Sequence, residues 1–113
     1  MKVSATQVSL KLLRKRGYEV GIVERYNFFI HQRFDLFNVI DLIAIKPGEI
    51  LGVQATSYGA ATQHRQKIRE EPKLLAWIEA GGQFELHLAR KIKNKWIIQV
   101  EKWEDGALRK AST

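Results

Sequence analysis

Between Val39 and Ile45 the chain is apolar at every position but one, Asp41. A strand with apolar residues on both faces belongs in the middle of a sheet, covered on both sides. A carboxylate there is costly unless it is paired, bound to a metal or at the strand's open end. Lys46-Pro47-Gly48-Glu49 follows with the chemistry of a tight turn, and Ile50 to Thr56 reads as a second strand. Two strands joined so closely form a hairpin. Side chains alternate along a strand, so Gln54 and Thr56 share a face and can lie beside Asp41. If Asp41 and Gln54 share a cation, their side chains must lie within about 8 Å of each other. A structural aspartate that caps a turn or pairs with arginine is the competing reading of Asp41.

The rest of the chain supplies helices and further strands. Ser4 to Arg16 reads as a helix, with Ser4 and Gln7 in capping-box positions and Gly17 as its stop. Tyr18 to Arg25 alternates as a strand. Tyr26 to Phe37 is aromatic and polar without a period and reads as a loop. Gly59 to Glu71 is a helical stretch that Pro72 restarts, and Gly81-Gly82 ends it. Phe84 to Arg90 and Lys95 to Trp103 are two closing strands, and the tail from Glu104 is expected to fray. The expected fold class is α/β: a central mixed sheet flanked by helices, in the order helix, three strands, helix, two strands. With 113 residues, 45% of them hydrophobic, the chain is expected to form a single domain over 1–113.

Charge and cysteine content narrow the function classes. Nineteen basic residues against twelve acidic ones give a net charge of +7, which favours a polyanionic partner such as nucleic acid. There is no cysteine, which excludes disulfides, thiolate metal sites and cysteine nucleophiles. No apolar run has the length of a membrane span and no signal-peptide pattern opens the chain, so a cytoplasmic protein without a membrane partner is expected. His31, His64 and His87 lack the spacing of zinc ligands.

The segments Asn38-Val39-Ile40-Asp41-Leu42-Ile43-Ala44-Ile45 and Ile50-Leu51-Gly52-Val53-Gln54-Ala55-Thr56-Ser57 resemble the Asp strand and the Glu-x-Lys strand of the PD-(D/E)XK nuclease superfamily. Within it, the chain is similar to small Holliday junction resolvase-like and phage-type nuclease domains, over about residues 4 to 90. The resemblance implies a restriction-endonuclease-like core and Mg²⁺- or Mn²⁺-dependent hydrolysis of phosphodiester bonds in branched or phage DNA. It implies that Asp41, Gln54 and the Ala55 carbonyl hold the metal. This chain departs from the family at Gln54, which replaces the glutamate, and at Thr56, which replaces the lysine. The carboxylate that many members carry on the first helix falls near Gln7. An amide oxygen can serve a hard cation, but it brings no charge. The family can move its lysine to the following helix, where Lys67 is the first candidate and Arg65 the second. Glu24 and Asp35 are candidates for a second carboxylate.

Three further groups carry expectations. Lys11, Arg14, Arg65, Lys67 and Arg69 are candidate contacts for DNA phosphates; a solvated helix face is the plainer account of such charges. The aromatics from Tyr26 to Phe37 are expected to pack under their loop as a satellite core, with stacking on unpaired bases as the alternative. Trp77, Trp96 and Trp103 are core or partner surface, and an aromatic closing strand could support a homodimer. Two function classes compete with the nuclease: the same fold retained as a non-catalytic DNA-binding or assembly module, and a protein that binds an acidic partner.

Overall fold

The computed structural model describes residues 3–111. Helix α1 (Ala5–Lys15) is followed by β1 (Glu19–Ile22), a small hairpin of β2 (Arg25–Asn27) and β3 (Gln32–Phe34), then β4 (Leu42–Lys46) and β5 (Glu49–Ser57). A single 3-10 turn leads into α2 (Ala61–Glu70) and α3 (Pro72–Glu79), and the chain closes with β6 (Gln83–Ile92), β7 (Lys95–Glu104) and β8 (Ala107–Lys110). The main sheet has the order β1-β4-β5-β6-β7-β8. Its pairs are antiparallel except β5 with β6, which run parallel because α2 and α3 carry the chain from one to the other. The fold class is α/β with a mixed sheet, as expected.

Local chemistry explains the element ends. Ser4 Oγ accepts the Gln7 N–H at 3.2 Å and the Gln7 side chain accepts the Ser4 N–H, so the capping box forms. At the other end of α1, Tyr18 N–H donates to Leu13 O and Gly17 N–H to Arg14 O, with Gly17 at φ +92°. That is a Schellman stop, and it needs the left-handed conformation that glycine adopts without strain. Lys46 pairs with Glu49 across the two-residue Pro47-Gly48 turn, and Lys93-Asn94, both at positive φ, join β6 to β7.

The sheet is covered on both faces. On one, Leu13 of α1 and Tyr18 pack with Leu42, Ala44, Leu51 and Val53. On the other, Ala61 and Ile68 of α2 and Leu74 of α3 pack with Val39, Ile40, Phe84, Leu86 and Leu88. The alternation along β5 and β6 thus sends odd-numbered residues to α1 and even-numbered ones, Gln54 and Thr56 among them, to α2 and α3. Gly52 has a packing reason on this second face. A Cβ there would lie 2.8 Å from Ile40 Cδ1, so only glycine lets the segment before β4 lie flat on β5. Asp41 ends that segment.

Four expectations need correction. The expected three-strand and two-strand runs gain extra strands. The loop after β1 contains the β2–β3 hairpin, because Asn27 and His31 supply a side-chain acceptor and a positive φ that close a four-residue turn. The tail past Glu104 is ordered as β8, since Asp105 and Gly106, both at positive φ, turn it back onto β7. The third correction is that β7 is therefore an interior strand, and Trp96, at one end of it, is 41% exposed. The fourth concerns the aromatic loop: Phe28 is 77% and Phe29 97% exposed, so these rings form no satellite core. Among the described residues, no helix is long and apolar enough to cross a membrane.

Candidate metal centre

Asp41 stands at the mouth of β4, one residue before the ladder begins, and is 2% exposed. Its backbone organises the surroundings. Its N–H donates to Val53 O at 2.8 Å, and its carbonyl accepts both Val23 N–H at 2.8 Å and Glu24 N–H at 3.1 Å. The end of β1 is thereby bent over Asp41, and Glu24 is fixed beside it. Asp35 arrives by a different device. Leu36 and Ile40 form an isolated antiparallel bridge, closed by Phe37 and Asn38 at positive φ. Residues flanking a bridge on its outer side face each other, so Asp35 comes to lie opposite Asp41. Positive φ is strained for a phenylalanine, and the two Leu36–Ile40 hydrogen bonds of 2.9 Å hold it.

The result is three carboxylates, Glu24, Asp35 and Asp41, each offering an oxygen within 4.8 Å of the others. A cation with ligand bonds of about 2.0–2.6 Å can span such a set. Gln54 completes it. Its Nε2 donates to Asp41 Oδ2 at 2.7 Å and reaches Asp35 Oδ2 at 3.5 Å. The Ala55 N–H donates to the same Asp41 oxygen at 2.9 Å. In an antiparallel pair a residue's N–H and C=O emerge on one edge, so the Ala55 carbonyl leaves β5 on the Asp41 side, beyond the last β4–β5 pair. Lys67 Nζ lies 3.5 Å from Asp35 Oδ2. Thr56 Oγ1 is bonded to His64 Nε2 at 3.2 Å.

The electrostatics of this cluster are strained. Burial, then the neighbouring Asp35, pushes the Asp41 carboxyl from 3.8 to about 8, against the pull of the Ala55 N–H and the Gln54 amide. Burial, and next the Lys67 charge, lowers the His64 pKa. Three buried side-chain atoms have no hydrogen-bond partner among the described residues: Asp35 Oδ1, Gln54 Oε1 and His64 Nδ1. All three belong to this one cluster. Buried polar atoms left without a partner are rare, and their concentration beside three carboxylates fits a site for a divalent cation. The oxygen-rich donor set suits Mg²⁺ or Mn²⁺ rather than zinc.

The site residues singled out in the sequence divide. Asp41, Gln54, Ala55 and Lys67 meet in one cluster, and the Asp41–Gln54 distance is far inside the 8 Å limit. Thr56 is adjacent, held by His64. Gln7 does not reach the cluster: it is exposed and spent on the α1 cap, and Thr6 faces the site instead, its hydroxyl donating to Glu24 Oε1 at 2.9 Å. Arg65 turns away, both its Nε and Nη2 bound to Glu101, a carboxylate that is nearly buried. Lys11 and Arg14 are exposed on α1, across the sheet from α2, so the five cations do not form one surface. The role of His64 was missed; its one signal in the sequence is its position one helical turn before Lys67.

A second polar network lies under α1. Glu85 accepts Arg16 Nη1 at 2.7 Å and Nη2 at 2.9 Å, and binds His87 Nε2 at 2.8 Å, while His87 Nδ1 meets Ser9 Oγ at 3.1 Å. Ser9 and His87 are fully buried, so this network ties α1 to β6 rather than facing a substrate. No protein-family profile matches the chain, and no match was found among curated proteins or solved structures.

Proposed function

We propose that the protein is a divalent-metal-dependent nuclease of the PD-(D/E)XK kind, hydrolysing phosphodiester bonds in DNA. The observation that carries this reading is the convergence of Glu24, Asp35 and Asp41 within 4.8 Å, beside Gln54 and Lys67. The arrangement of α1 on one sheet face, an antiparallel β1-β4-β5 unit, and a helical crossover to parallel β6 supports it. The net charge of +7 supports a nucleic-acid substrate.

In this reading Asp41, Asp35 and Glu24 would hold the cation, with the Ala55 carbonyl and the Gln54 amide oxygen as further oxygen donors. The bound metal makes water nucleophilic near neutral pH and stabilises charge that develops on phosphate oxygens. Gln54 currently directs its N–H₂ at two carboxylates, so ligation requires the amide to turn and present Oε1. Its N–H₂ does for the apoprotein what a cation would do, giving two crowded carboxylates a positive dipole. Lys67, whose Nζ lies 3.5 Å from Asp35, would supply a cation to a phosphate bound at this cluster. Burial and then the Lys67 charge lower the His64 pKa, and its buried Nδ1 has no hydrogen-bond partner among the described residues, so His64 would be the candidate proton acceptor beside this cluster.

One observation favours the non-catalytic module: the ligand position on β5 is an uncharged amide and no lysine stands at Thr56. A cleavage assay decides between them. Purified protein with Mg²⁺ or Mn²⁺ is incubated with duplex, single-stranded, flap and four-way-junction DNA. The nuclease reading expects metal-dependent products that Asp41→Asn abolishes. No product from any substrate with either metal leaves only the binding module.

A further inference from the structure

The β2–β3 hairpin inverts the usual placement of apolar side chains. Phe28, Phe29 and Ile30 at its tip are 77%, 97% and 56% exposed. They are not loosely presented. Asn27 Oδ1 accepts the N–H groups of Phe29 at 2.9 Å and Ile30 at 3.4 Å, which sets the turn. Tyr26 and Phe28 stack edge to face with ring centroids 4.9 Å apart. Beside them opens a cleft of about 480 Å³, lined by Arg25, Tyr26, Asn27, Phe28, Phe29 and Phe34. Four of its six lining residues are aromatic, and the other two are an arginine and an asparagine. The segment from Arg25 to Phe34 contains no acidic residue and carries two arginines, Arg25 in the cleft wall and Arg33, 3.8 Å from Glu24.

The hairpin's position adds to its chemistry. It starts immediately after Glu24 and ends immediately before Asp35, so both its strands spring from the carboxylate cluster. The tip is five residues from either carboxylate, roughly 16 Å along an extended strand. A nucleic-acid strand advances about 3.4 Å per nucleotide when stacked, so a strand with one phosphate at the cluster brings a base four or five nucleotides away to the tip.

We propose that this cleft receives an unpaired nucleobase, making the preferred ligand a nucleic acid with a single-stranded stretch. The inference rests on the nucleic-acid part of the reading above and not on catalysis. Tyr26, Phe28 and Phe29 supply stacking faces, Arg25 meets the adjoining phosphate, and the Asn27 amide lines the cleft within reach of a base edge. A duplex keeps its bases stacked and cannot fill the cleft. A lipid surface would need only a convex apolar tip; the concave shape, with an arginine and an amide in its wall, favours a flat polar-edged ring.

The test is equilibrium binding by fluorescence anisotropy, in EDTA so that neither metal nor cleavage enters. The probes are a labelled 12-nucleotide oligo-dT and a blunt 12-base-pair duplex. Wild type is expected to bind the single strand more tightly. Phe28→Ala/Phe29→Ala is expected to weaken single-strand binding at least ~5-fold and duplex binding less than 2-fold, since stacking on each base is sizeable. Phe29→Tyr should bind like wild type and Phe29→Leu should not, which separates stacking from general apolar contact. Both rings are exposed, and an unchanged unfolding temperature checks that the variants fold. Equal losses on both probes, or no loss, overturn the proposal. So does a hairpin-dependent sedimentation with phosphatidylserine-containing vesicles while oligo-dT binding is unchanged. Hairpin-dependent single-strand binding by a protein that cleaves nothing supports the cleft and removes the nuclease; metal-dependent cleavage with oligo-dT binding indifferent to the hairpin does the reverse.

Discussion

Replacing Asp41 with asparagine should make the metal-free protein more stable, although the residue is buried and makes two hydrogen bonds. Burial and Asp35 raise this carboxyl from 3.8 to about 8. A group whose pKa is higher in the folded state than in the unfolded chain stabilises the fold at low pH, relative to high pH. That contribution is fully present below about 4, declines as pH rises, and is gone once pH passes about 8. At about 1.4 kcal/mol per unit, the ionised carboxylate costs the fold roughly 5 kcal/mol at pH 9. Asparagine removes this cost, keeps an oxygen for the Gln54 and Ala55 donors, and adds an N–H₂ that can donate to Asp35. It forfeits the extra strength of charge-assisted bonds, so the expected net gain is about 2 kcal/mol at pH 9. For a chain of this size that is a rise in unfolding temperature of roughly 10 °C. Thermal unfolding in EDTA at pH 9 and pH 4 measures it: the gain should shrink toward zero at pH 4, where Asp41 is protonated. Millimolar Mn²⁺ at pH 8 should reverse the order, raising the wild-type midpoint and leaving Asp41→Asn unmoved. An Asp41→Asn protein less stable than wild type at pH 9 would refute the reasoning, because Asp41 would then be a structural hydrogen-bond acceptor with no electrostatic strain to relieve.

Gln54→Glu adds a fourth carboxylate, so it should lower apoprotein stability at pH 8 while tightening Mn²⁺ binding about tenfold in a calorimetric titration; paired with Thr56→Lys it should raise Mg²⁺-dependent cleavage. Arg65→Ala should cost about 1–2 kcal/mol by stranding Glu101 and leave the salt dependence of DNA binding unchanged, whereas Lys67→Ala/Arg69→Ala should flatten that slope by about 2 if both reach phosphates. Glu85 is held down to about 2: burial opposes this, but the Arg16 guanidinium and then His87 outweigh it. Its depressed pKa stabilises the fold above about 4.5 and that contribution is lost as pH falls through about 2. Urea midpoints of Glu85→Gln measured from pH 5 to pH 2 should therefore lack about 3 kcal/mol of the wild-type decline.

The sequence carried the sheet's centre because hydrophobic runs and turn residues act locally. The Pro47-Gly48 turn and the Ser4/Gln7 cap need only near neighbours and appear where those residues put them, whereas the Val39–Ile45 run becomes strand only from Leu42, because Ile40 is held in the bridge to Leu36 and Asp41 precedes the ladder. Asp41 was legible for the same reason, as a charge in an apolar run. The gathering of Glu24 and Asp35 was not legible as geometry, though both were candidates. It depends on one carbonyl of Asp41 accepting two N–H groups from beyond β1 and on a single bridge between Leu36 and Ile40. Neither leaves a periodic trace. Arg65 and Lys67 are two residues apart with the same charge, yet one closes on Glu101 and the other on Asp35. A helix face assigns that difference only when the strands beneath it are in place. The exposed Phe28 and Phe29 defeated the general rule that aromatics seek a core, since the hairpin that carries them touches the body of the fold chiefly at its base.

The insertion of β2 and β3 between two neighbouring carboxylates makes this hairpin a replaceable cassette. Glu24 is anchored by the Asp41 carbonyl and Asp35 by the Leu36–Ile40 bridge, both outside the segment from Arg25 to Phe34. Arg33, 3.8 Å from Glu24, reaches back to the cluster, but the tip from Phe28 to Ile30 can lengthen, shorten or change its side chains while the two ends stay in register. Whatever the hairpin recognises can therefore drift through mutation, or be exchanged by grafting, without the cluster at its root having to be rebuilt.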